Sequence, residues 1–96
     1  MKMEILLQIE TENYSKVREI LFKDDLVSRA SLIFKEAKTF DKEGYFCYIS
    51  GTEDQCKKAF EITKDLTKEI KDKEEIINKI KEEENRAQEG LGGILG

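Results

Sequence analysis

The sequence contains no histidine, no proline and no tryptophan, and only two cysteines, Cys47 and Cys56. Without histidine the commonest general base and the commonest nitrogen ligand for metals are missing, along with every histidine-dependent nucleophile arrangement. No run approaches the roughly 20 apolar residues that cross a bilayer, and the start, Met1 to Gln8, carries too short an apolar stretch for a secretory leader. The two thiols are therefore expected to stay reduced, in the cytoplasm. Positive charge is also short: a net charge of −4 repels phosphate and removes the usual driving force for nucleic-acid binding. The bias toward lysine and glutamate resembles the composition of thermophile proteins but equally fits an AT-rich genome, and no function follows from it.

What is present, in 96 residues, suffices for one core. Glu4 to Glu10 alternates, placing Ile5, Leu7 and Ile9 on one face and Leu6 on the other, which predicts a strand. Thr11 or Asn13 then offers a cap for a helix carrying Tyr14, Val17, Ile20 and Leu21, ending near Phe22. Residues 26–39 fit two periods. Read as a strand paired so that Ala37 opposes Tyr45, they put Ile33, Ala37, Tyr45, Cys47 and Ile49 on one face and Leu32, Phe34, Phe46 and Tyr48 on the other. Read as a helix, they leave only two strands, which is marginal without a partner chain; the strand is preferred on that ground. Tyr45 to Ser50 is β-favouring in either case. Thr52 and Gln55 have the spacing of a capping box, and the helix it opens carries Cys56, Ala59, Phe60, Thr63, Leu66 and Ile70 on one side. That helix is expected to run on toward Gln88, with a break near residues 71–73 and a separate terminal helix as the alternative.

The order strand, helix, strand, strand, helix resembles a ferredoxin-like fold that lacks its last strand: an α+β domain with a three-stranded antiparallel sheet and a long C-terminal helix, continuous or broken. The alternative is β-α-α-β-α. The expected organisation is a compact domain over 1–70, a helical extension over 71–89 and a flexible, glycine-rich apolar tail over 90–96. Small domains of that resemblance serve as regulatory ligand binders, dimerising subunits and RNA binders, so the resemblance does not choose among them.

No calcium loop, zinc spacing, phosphate-binding loop or dinucleotide fingerprint occurs, so no cofactor or metal is expected. The carboxylates Glu82, Glu83 and Glu84 fan around a helix and cannot converge on one cation. Cys56 falls in the first helical turn, where a thiolate is favoured, but Glu53 and Asp54 oppose it and its place in the apolar stripe suits a core residue. The aromatic strand at Tyr45 to Ile49 departs from the RNA-stacking pattern, since Glu43 precedes Gly44 and the first strand offers no ring. The expected function is instead that of a non-enzymatic interaction protein, a homodimer or a subunit joined to a protein partner, with a small-molecule sensor as the second reading. Its expected surface comprises the sheet residues Leu32, Phe34, Phe46 and Tyr48, the helix residues Ile77 and Ile80, and the tail residues Leu91, Ile94 and Leu95. An apolar sheet face left open by helices on one side must be covered by the terminal helix or by a second subunit.

Overall fold

The computed structural model describes residues 2–95, with side chains for residues 2–84. Alternation in the first segment produces β1 (Lys2–Ile9), with Ile5, Leu7 and Ile9 in one apolar cluster and Leu6 in another on the opposite face. A single 3-10 turn, Thr11–Asn13, leads into α1 (Tyr14–Lys23). Neither expected side-chain cap forms; the Asn13 amide instead donates to the Glu10 carbonyl at 2.9 Å, so the turn itself satisfies the helix start. Val17 and Leu21 are the buried face of α1.

Residues 26–39 do not form an α-helix. A 3-10 turn at Val27–Arg29 precedes β2 (Ser31–Glu36), and a second at Ala37–Phe40 precedes β3 (Tyr45–Thr52). The pairing differs by one residue from the expected register: Glu36, not Ala37, opposes Tyr45, while Phe34 opposes Cys47 and Ile33 opposes Tyr48. Because side chains alternate faces, that single step exchanges them all. Leu32 and Phe34 join Tyr45, Cys47 and Ile49 beneath α1, whereas Ile33 and Ala37 join Phe46 and Tyr48 on the far face. The connecting loop sets this register. Ala37 donates to the Gly44 carbonyl at 2.9 Å, and Gly44 has φ +83, with its α-carbon so close to the Ile9 carbonyl that any side chain would collide.

Thr52 caps α2 (Glu53–Thr63) through the complete capping box: the Gln55 amide donates to Thr52 Oγ1 and the Thr52 amide to Gln55 Oε1. The helix then stops, and the expected continuous run toward Gln88 does not occur. The Thr63 hydroxyl donates to the Ala59 carbonyl, and the Thr67 hydroxyl and Leu66 amide both donate to the Thr63 carbonyl. Local bonds thus satisfy the last turn and free the chain to reach the vacant edge of β1. There Thr67–Glu69 forms β4, pairing with Leu7 to Ile9, so the sheet has four strands rather than three. Its order is β2-β3-β1-β4, with every neighbouring pair antiparallel.

The last element, α3 (Glu74–Leu95), is the separate terminal helix of the alternative reading. Ile76, Ile77 and Ile80 lie on Leu6, Phe46 and Tyr48, so the sheet face opposite α1 and α2 is covered from within the chain. Lysines fasten its first half: Lys73 donates to the Glu4 carbonyl at 2.8 Å, Lys81 pairs with the Glu4 carboxylate at 3.0 Å, and Lys35 of β2 reaches Glu84 at 3.0 Å. The helix therefore starts beside β4, crosses β1 and β3, and arrives over β2. Among the described residues, no helix is long and apolar enough to cross a membrane.

Candidate interaction surface

The residues expected to form one surface are divided by the fold. Phe46, Tyr48, Ile77 and Ile80 are buried against one another in the cluster under α3. Leu32 and Phe34 occupy the opposite face, half-buried at the rim of the larger cluster. Leu91, Ile94 and Leu95 lie outside the residues whose side chains are described, as does the whole reading of the 90–96 tail. The terminal helix, not a vacant platform, is what stands over Phe46 and Tyr48.

Exposed apolar material occurs elsewhere. Phe22 at 47% and Leu26 at 37% are the large hydrophobic side chains that remain open among the described residues. Both flank β2. Tyr14, Arg18 and Phe22 are spaced i, i+4, i+8 along α1 and therefore share a helix face. On that face, Tyr14 stacks on Tyr45 with ring centroids 3.9 Å apart and meets Phe34 edge-on at 5.7 Å, and Phe22 lies 5.9 Å from Phe34. The Arg18 guanidinium stands over both the Phe22 and the Phe34 rings, at 5.6 and 5.8 Å, and donates to the Tyr14 hydroxyl. Such packing fixes an aromatic ridge with few rotamers left to lose on association. The i, i+4, i+8 row was visible in the sequence, but its significance depends on β2 lying beside it.

Strand β2 is an edge, since it pairs with β3 alone. The Ala37 to Gly44 bond marks a hydrogen-bonded pair, and such pairs alternate along an antiparallel ladder. Ile33 and Lys35 accordingly direct their amides inward to Tyr48 and Phe46, while Leu32, Phe34 and Glu36 present N–H and C=O groups outward. The usual protection of such an edge is a free lysine. Here Lys35 is turned onto the α3 face, 3.0 Å from Glu84 and 3.7 Å from Glu83, so its charge is already paired. Leu26 is presented by a turn that Asp24 organises, accepting from the Leu26 and Val27 amides while pairing with Lys58 at 2.9 Å. The Val27 amide and then Lys58 hold the Asp24 carboxyl below its ordinary pKa.

Neither cysteine is placed for chemistry. Burial raises the pKa of both thiols, and Cys56 Sγ donates to the Met3 carbonyl at 3.4 Å within the core between α2 and the sheet. At the end of the sheet near Gly44, a cleft of about 520 Å³ is lined by Gln8, Glu10, Glu12, Glu43 and Lys68. The Glu12 carboxylate raises the pKa of Glu10 there, by accepting a hydrogen bond from its protonated carboxyl and by the repulsion of its charge. Among the described residues no three histidine, cysteine or carboxylate side chains converge as metal ligands would.

Comparison with protein-family models, curated proteins and solved structures returned no match for this chain.

Proposed function

We propose that this chain is a non-enzymatic interaction module, an accessory subunit that binds protein through the β2 edge and the aromatic ridge beside it. The observation that carries this reading is the coincidence, on one edge, of outward backbone groups at Leu32, Phe34 and Glu36 with the exposed Phe22, whose ring lies 5.9 Å from that of Phe34. Open amides supply directional bonds and the ridge supplies apolar contact, which together are the means of strand-addition recognition. The absence of histidine and the burial of both thiols support a role without catalysis, and reduced thiols fit a cytoplasmic protein. The net charge of −4, and the helix standing over Phe46 and Tyr48, speak against a nucleic-acid platform.

The strand order, with α1 and α2 as crossovers between non-adjacent strands, fits a ferredoxin-like arrangement to which α3 adds a cover on the far face. Affinity capture tests the reading with wild type beside Phe22→Asp, a half-exposed site whose lost ring contacts are expected to cost about 1–2 kcal/mol and leave the chain folded. A polypeptide retained by wild type and lost with the variant supports it; equal retention by both removes the ridge from binding. The cleft beside Gly44 favours the second reading, a small-molecule sensor, because its volume lies in the range of ligand sites. A metabolite that raises the melting temperature of wild type but not of a Lys68→Ala variant would support that reading instead.

A further inference from the structure

We propose that the occupant of the β2 edge is a second copy of this chain, paired antiparallel through β2 about a two-fold axis at Phe34; this rests on the interaction reading above. The outward groups are self-complementary. Placing the axis at Phe34 uses all three outward residues, with Phe34 opposite its own copy and Leu32 opposite the copy's Glu36, each a hydrogen-bonded pair. Between them Ile33 faces the copy's Lys35. No like charges oppose one another, so the register carries none of the repulsion that disfavours a cross-strand pair. The two ridges meet at the axis, where Phe34 and Phe22 of each copy approach the other's.

The chain beyond α3's last sheet contact distinguishes a second copy from a single foreign strand. Glu84, ion-paired to Lys35, already lies over the edge strand, and α3 continues for eleven residues beyond it to Leu95. At 1.5 Å per residue these reach about 16 Å, or more than three strand spacings of about 4.8 Å. One added strand extends the sheet by a single spacing. A second copy extends it by four strands, and the two-fold brings the copy's own α3 alongside in the opposite direction. The same operation closes the assembly as a symmetric dimer.

Glu36→Pro tests the pairing without disturbing the monomer. Glu36 has φ −69, which proline adopts freely, its amide points away from β3, and its side chain is exposed. Native mass spectrometry and light scattering of the full wild-type chain are expected to give twice 11.2 kDa, and Glu36→Pro a single copy with an unchanged melting curve. A wild type that stays monomeric at every concentration, or a folded Glu36→Pro that stays dimeric, overturns the proposal. If Glu36→Pro does not fold, Phe34→Cys takes its place. The two sulfurs would sit on a pair with α-carbons about 5.5 Å apart, within disulfide range, and the buried native thiols would not compete. Oxidation to a covalent dimer is the expected result, and a folded Phe34→Cys that remains monomeric contradicts it. A monomeric wild type that still loses its captured partner on Phe22→Asp would leave the interaction reading standing and only the second copy refuted.

Discussion

The two edges of the sheet are built on opposite plans. β4 is three residues long, carries Lys68 and Glu69, and pairs with only the last three residues of β1, Leu7 to Ile9. β2 is six residues long and reads Ser31-Leu32-Ile33-Phe34-Lys35-Glu36, with its lysine folded away beneath α3. A short charged edge offers a foreign strand little to pair with, whereas a longer, largely apolar edge with its lysine already ion-paired offers a template. One chain thus protects one edge and leaves the other available. Helix α3 links them, since it starts at the protected side and reaches the open one at Glu84.

Breaking that link should produce the largest effect. Ile80 is fully buried where α3 crosses Phe46 and Tyr48, so Ile80→Asp places a charge in an apolar cluster and is expected to cost about 3–5 kcal/mol. Denaturant unfolding would measure the loss, and a midpoint unmoved by the change would mean that α3 does not cover the sheet. Making β2 resemble β4 should act more gently. Leu32→Lys removes a half-buried apolar side chain and installs an edge charge, with an expected loss of about 1–2 kcal/mol in stability. Association should fall at least tenfold in the same variant. Equal association by wild type and Leu32→Lys would remove the distinction between the edges.

The smallest effect concerns pH. The Asp24 carboxyl is held below its ordinary pKa in the fold by the Val27 amide and Lys58, so it binds a proton more readily when unfolded. Its contribution is complete above the unfolded value and declines as pH falls through the folded one. Asp24→Asn should therefore flatten the acid limb of the stability curve below the ordinary aspartate pKa, leaving a slightly weaker protein at neutral pH. Melting curves recorded through that window would check it, and an identical acid limb would show that the Leu26 turn does not depend on the charge.

Much of the frame was legible because it is local. The alternation in β1, the β-favouring run at Tyr45 to Ser50 and the Thr52–Gln55 capping box each depend on residues a few positions apart, and each appears as expected. Three features were not legible, for related reasons. Thr67–Glu69 has no apolar alternation; it becomes a strand because β1 has an unoccupied edge, a fact of the assembled sheet. The β2 register moved by one because a 3-10 turn at Ala37–Phe40 takes up the connection, and that step alone redistributed the expected surface residues between the two faces. Phe22 was passed over as the end of a helix, since only the neighbouring strand makes it part of a ridge.

Amide exchange along β2, followed by NMR in wild type and in Glu36→Pro, tests the central claim most directly. If the edge is paired between copies, the Leu32 and Phe34 amides are protected in wild type to about the level of Ile33 and Lys35, and lose that protection in the variant while Ile33 and Lys35 keep theirs. Leu32 and Phe34 amides that exchange freely in wild type at high concentration would contradict the account, because an edge whose outward groups remain in water is joined to nothing.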